Sequence, residues 1–203
     1  MTHKTFFAAI TAFVASFIFS VGVSANDGAY QVVSPDGHLS ATVVVGSNIS
    51  YTVSRDALQL IAPSQISMTL SDGIVFGQDD KVRKVRRDSR DQVWQATIYK
   101  KSDVRDHYNE MTLEFKEFSL TFRAYDDGVA YRFASKLKGD FTVMSETAEF
   151  AFAKDWDAFI PYVKQHTKTL ETQYFNSFEN TYKEHRLSEW NKARSFDMFT
   201  GTE

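Results

Sequence analysis

The most regular feature of the chain is an alternation of apolar and polar positions with a period of two. Leu39, Ala41, Val43 and Val45 alternate with polar or outward positions, and Ile49, Tyr51 and Val53 resume the pattern after Gly46-Ser47-Asn48. Strands place successive side chains on opposite faces, so this spacing predicts half-buried strands. An earlier strand is expected from Ala29 to Val33, separated from the next by Pro35-Asp36-Gly37, a turn in which Pro fixes φ and Gly takes a positive φ. Three further triplets follow the same rule: Met111, Leu113, Phe115; Leu120, Phe122, Ala124; and Val129, Tyr131, Phe133. Breaks at Lys116 to Ser119 and at Asp126-Asp127-Gly128 turn them into an antiparallel meander.

Elsewhere the pattern is thinner. Ala57 to Leu70 carries Pro63 and ends on Ser71-Asp72-Gly73, which excludes a long helix and leads into Ile74-Val75-Phe76. A strand is expected across Val93, Ala96, Ile98 and Tyr99, and the alternation continues through Phe141, Val143, Phe150 and Phe152. The total is about ten short strands without a strand–helix–strand rhythm, which predicts a mostly all-β, antiparallel fold. From Asp155 the period is lost, and Lys164 to Asn191 reads as loop or short helical pieces. The basic run Lys81, Arg83, Lys84, Arg86, Arg87, followed by Asp88 and Asp91, reads as a solvated strand and turn.

The first residues depart from all of this. From Thr5 to Ala25 no acidic or basic side chain interrupts a run rich in Phe, Ala, Ile and Val, and it closes on Val23-Ser24-Ala25. These features define a secretory signal peptide over residues 1–25, with cleavage after Ala25 and a mature domain over residues 26–203. Ser16, Ser20, Gly22 and Ser24 make the alternative, an uncleaved anchor, a poor span, so no membrane association is expected after cleavage.

Composition adds an aromatic bias to an otherwise average globular balance of 43% hydrophobic and 24% charged residues: 18 Phe, 9 Tyr and 3 Trp. Such side chains suit strands and also line sugar-binding surfaces. A net charge of −3 gives no general attraction for phosphate backbones, so nucleic acid is not an expected partner. There is no cysteine, which excludes disulfides and thiolate chemistry.

Candidate chemistry rests on carboxylates. His3, His38, His107, His166 and His185 are scattered without ligand spacing, and no phosphate loop, nucleophile elbow or His-Glu-x-x-His is present. Glu110, Asp126, Asp127, Glu179 and Glu184 remain, because glycoside hydrolysis uses paired carboxylates and hard cations take carboxylate oxygens. Asp126 and Asp127 fit a hairpin turn, and Glu110 fits an ion pair with Arg123 or Arg132. Glu179 stands apart, flanked by Tyr174, Phe175, Phe178, Asn180 and Tyr182, since an acid among aromatics needs a cation, a metal or water.

Three blocks carry a resemblance: Ser34-Pro35-Asp36-Gly37; Tyr108-Asn109-Glu110-Met111-Thr112-Leu113-Glu114-Phe115; and Phe122 to Phe133, with Asp126-Asp127-Gly128 at its centre. From about Tyr30 to about Trp190 the chain resembles the N-terminal domain of family 97 glycoside hydrolases. The resemblance implies a galactose-mutarotase-like β-super-sandwich packed on a (β/α)8 barrel in an exported, calcium-dependent α-glucosidase or α-galactosidase of a Gram-negative bacterium, periplasmic or secreted. It also implies that Glu179 is a calcium ligand shared with the barrel, which supplies the catalytic acids and receives the α-linked oligosaccharide. No catalytic residue is expected in this chain, nor activity from it alone. Its end at Glu203 suggests a sandwich truncated at the C-terminus. The alternatives are a stand-alone exported carbohydrate-binding sandwich and an exported structural module.

Overall fold

The computed structural model describes residues 28–98, 100–160 and 181–189. These residues form twelve strands and one 3-10 turn, Leu187–Glu189, with no α-helix among them. The strands are β1 (Gly28–Val33), β2 (Leu39–Val45), β3 (Ile49–Arg55), β4 (Leu58–Leu70), β5 (Val75–Phe76) and β6 (Lys84–Gln95). They continue as β7 (Asp103–Glu114), β8 (Phe118–Tyr125), β9 (Val129–Ser135), β10 (Val143–Ala148), β11 (Asp157–Ile160) and β12 (Lys183–Arg186).

Two antiparallel sheets make the sandwich. The first runs β1-β2-β3-β4-β10, with β5 also paired to β4, and the second runs β6-β7-β8-β9. Strict alternation in β2 and β3 points Leu39, Ala41, Val43, Val45, Ile49, Tyr51 and Val53 inward. Facing them from the second sheet are Met111, Leu113, Phe115, Phe118, Leu120, Phe122 and Ala124, all buried. Aromatic rings join the layers: Phe118 stacks on Phe76 at 4.7 Å, and Tyr51 meets Phe122 at 5.9 Å and Tyr131 at 5.8 Å. Burial, followed by the neighbouring Tyr131 and Glu149, pushes the Tyr51 hydroxyl up to about 12.

Local chemistry sets the turns. The Ser34 hydroxyl donates to the Asp36 carboxylate and accepts from the Leu39 amide at 2.9 Å, while Gly37 takes φ 81° between them. Pro63 sits where β4 opposes β3 irregularly: Tyr51 faces Ser64 and Val53 faces Ile61, so the ladder bulges around a residue that has no amide to donate. Gly77 has φ 101°, and a Cβ there would lie 2.8 Å from the Ile66 carbonyl oxygen.

Several expectations are corrected. The strand expected across Val93, Ala96, Ile98 and Tyr99 ends at Gln95; Ile98 is almost wholly exposed, and Tyr99 lies outside the described residues. Asp88 and Asp91 lie inside β6 instead of in a turn, because β6 pairs with β7 in unbroken register from Lys84↔Glu114 to Gln95↔Asp103. Phe150 and Phe152 lie beyond β10; only an isolated bridge ties Phe152 to Ile61. Within the stretch read as loop or short helix, Lys183–Arg186 is a strand paired with β11, and the 3-10 turn follows it. The leader over residues 1–25 and its cleavage after Ala25 lie outside the described residues.

Candidate functional site

Glu179 lies outside the described residues, while four of its fellow carboxylates can be placed. Glu110 on β7 stands in register with Arg123 on β8, whose Nε donates to Oε2 at 2.7 Å. The same guanidinium lies 4.2 Å above the ring of Tyr108, which is 3% exposed. Burial is the strongest single influence and works against the charge of Arg123, but hydrogen bonding to Glu110 and Tyr125 and the nearby charges together hold the guanidinium above its ordinary value. The acid, cation and ring form one structural unit, as the ion-pair reading expects.

Asp126 is a tie between turns. Its carboxylate accepts from the Asp36 amide at 3.0 Å, its carbonyl accepts from Arg55 Nη1 at 3.2 Å, and His107 Nδ1 lies 3.8 Å away. Asp127 occupies the β8–β9 turn, closed by the Tyr125 amide donating to the Gly128 carbonyl at 2.8 Å. Glu184 is exposed on β12 opposite Phe159. His38 Nδ1 sits 2.7 Å from Asp56, whose hydrogen bond and charge raise the imidazole above its ordinary value. Among the described residues no three His, Asp or Glu side chains lie close enough to hold a metal ion.

Between the edge strands β1 and β6 opens a shallow cleft of about 550 Å³ lined by Gln31, Val32, Val33, Arg87, Asp88, Ser89, Asn109 and Glu110. Arg87 Nη1 donates to the Gln31 carbonyl at 2.6 Å, and Asn109 Nδ2 donates to the Val33 carbonyl at 2.8 Å. These bonds pin the two sheets together at the cleft floor. Arg87 and Asn109 are engaged with backbone and Glu110 is committed to Arg123, so no nucleophile is paired with a base among the described lining residues.

A second constellation, on the outer face of the second sheet, escaped the sequence reading. Gln92 and Trp94 alternate along β6, and both side chains donate to the Asp106 carboxylate on β7. Their spacing of two was a usable signal for a shared face, but sequence does not reveal that Asp106 stands beside them.

Comparison with known proteins gives the constellation a context. The family model for the glycosyl-hydrolase 97 N-terminal domain matches residues 32–200. A retaining alpha-galactosidase of Bacteroides thetaiotaomicron is 41% identical over 167 residues, covering 81% of this chain and 25% of that protein. A family 97 enzyme from Pseudoalteromonas sp. strain K8, solved in complex with panose, is 27% identical with a TM-score of 0.58, covering 65% of this chain and 22% of its own. A beta-arabinopyranosidase structure gives a TM-score of 0.64 at 25% identity, covering 76% of this chain and 26% of its own. The chain thus spans about a quarter of the length of each relative. The blocks around Tyr108 to Phe115 and Phe122 to Phe133 form the β7–β8–β9 meander at the heart of this sandwich, and the chain belongs to the glycosyl-hydrolase 97 N-terminal family.

Proposed function

We propose that this chain is the N-terminal, non-barrel domain of an exported α-glycosidase, packing on a (β/α)8 catalytic barrel and donating Glu179 to a calcium site there. The observation that carries the reading is the family match across residues 32–200, supported by the 41% identity to a retaining alpha-galactosidase. Panose and acarbose complexes of the Pseudoalteromonas relative support an α-linked oligosaccharide as the substrate class.

The described residues do not by themselves fit a calcium shell, which takes six to eight oxygens as a rule. Glu179 supplies one carboxylate, so the remaining ligands and the catalytic acids come from the barrel. The ion, when bound, supplies positive charge that orients oxygen groups at the scissile bond. The other candidate carboxylates are structural: the Glu110–Arg123–Tyr108 unit ties β7 to β8, and Asp126 ties the β8–β9 turn to Asp36 and Arg55. The chain alone is therefore expected to bind calcium weakly and to hydrolyse no α-glycoside.

The test is Glu179→Gln in the full-length enzyme, reading calcium affinity and hydrolysis of an aryl α-glycoside. Both fall together if Glu179 is a ligand. Unchanged values for both would show a surface acid and overturn the assignment.

A further inference from the structure

Trp94 is 59% exposed on β6, the edge strand of the second sheet, yet its ring is not loose. Indole Nε1 donates to Asp106 Oδ2 at 3.3 Å, and Gln92 Nε2 donates to the same oxygen at 2.9 Å. The other oxygen, Oδ1, is approached by the Tyr125 hydroxyl at 3.5 Å, a long contact that leaves most of its accepting capacity open. A single exposed apolar ring needs no explanation, but one held by its own N–H beside a half-open carboxylate is a preorganised surface.

We propose that Trp94, Gln92 and Asp106 form a surface subsite that holds one pyranose ring of an α-linked oligosaccharide. A pyranose has an apolar C–H face and a rim of hydroxyls. The indole face matches the first, and the carboxylate, which only accepts, matches the second by taking hydroxyl protons at Oδ1. Asp106 stays ionised for this, held below the usual carboxylate range by the Gln92 hydrogen bond first and the Trp94 one as well. Its negative charge also selects against anionic ligands, and Arg123, the guanidinium whose charge acts on Asp106, is already paired with Glu110. Because Gln92 and Asp106 are register partners on β6 and β7, with Trp94 one diagonal step along β6, the subsite is carried on paired strands and not on a loop. The α-linked class rests on the proposed function; the subsite geometry does not.

The experiment titrates the 203-residue chain with maltotriose while following the indole N–H signals of Trp94, Trp156 and Trp190 by NMR. Trp94 is expected to move saturably, with a dissociation constant of about 1–10 mM, and the other two to stay in place. Trp94→Ala abolishes the response, Trp94→Phe keeps a weaker one read from the Gln92 side-chain amide, and Asp106→Asn weakens binding about tenfold. No saturable movement of Trp94, or full affinity in Asp106→Asn, would overturn the subsite. An equal response to cellobiose would overturn the α-linked class. Shielding of Trp94 from acrylamide quenching in the full-length enzyme would identify the face as a domain interface and also overturn it. The Glu179→Gln test reads calcium and hydrolysis instead, so a silent Trp94 in a Glu179-dependent enzyme sinks this inference alone. A responsive Trp94 with unchanged Glu179→Gln values sinks only the calcium assignment.

Discussion

Phe118 is the side chain on which the two layers most depend, and its truncation gives a sharp expectation. It is 0% exposed and lies between Phe76 at 4.7 Å and Phe115 at 4.4 Å, both stacked, with Phe133 tilted at 5.6 Å. Phe76 belongs to the first sheet, Phe133 to the second and Phe115 to the β7–β8 turn, so Phe118→Ala opens a cavity where the two sheets meet. A buried Phe→Ala change costs about 3–5 kcal/mol including the cavity. Ring pairs add about 0.5–1.5 kcal/mol each beyond area, which places this site at the top of that range. Against a total stability of about 5–15 kcal/mol, the loss is a large fraction. Urea unfolding followed by tryptophan fluorescence should show the midpoint falling by about 2 M for a slope of about 2–2.5 kcal/mol/M. Phe118→Leu, which keeps most of the volume, should lose under about half as much. Phe152→Ala is the control, since that ring is 51% exposed and its loss should cost less than about 1 kcal/mol. If Phe118→Ala and Phe152→Ala shift the midpoint equally, the inter-sheet stack is not what holds the sandwich together.

Two further predictions concern single positions. Gly77→Ala should destabilise the chain by about 2 kcal/mol or more, because the new Cβ combines φ 101° with a 2.8 Å approach to the Ile66 carbonyl oxygen; thermal melting reads it, and an unchanged midpoint would refute it. His38 should titrate above 6.5 by NMR and return towards that value in Asp56→Asn; as its folded value is raised, any stabilisation is complete below pH 6.5 and is lost as pH rises through the folded value, and a midpoint below 6.5 would contradict this.

The legible part of the fold was that encoded by nearest neighbours along the chain. Alternation in β2, β3, β8 and β9 survives into the structure because each of these strands has one face in the core. β10 is exposed on both faces, so its sequence has no period to offer, and Phe141 and Val143 suggested a strand for reasons unrelated to burial. β6 misled in another way: its charges hinted at a turn, whereas the strand is specified by twelve register pairs with β7. β11 and β12 are held by pairing across an interval of more than twenty residues, invisible to a local window. The same limit applies to function. Glu110 found its cation because the partner lies on the adjacent strand, one short turn away. Asp126 was rightly placed in a turn, but its role in joining Asp36 and Arg55 depends on tertiary contacts that turn propensity does not encode.

The pairing of β10 with β4 shapes how the chain reaches this structure. Leu70 and Val143 are partners, and the whole β6-β7-β8-β9 sheet lies between them in sequence. Every other pairing within the two main sheets joins consecutive strands, so two meanders condense early from short loops. The β4–β10 ladder instead closes a loop containing an entire sheet, and with no buried side chain of its own, β10 has little to gain until β4 is already fixed. The expected order of assembly is therefore two hairpin arrays first, with β10 the last strand of the two sheets to zip onto β4.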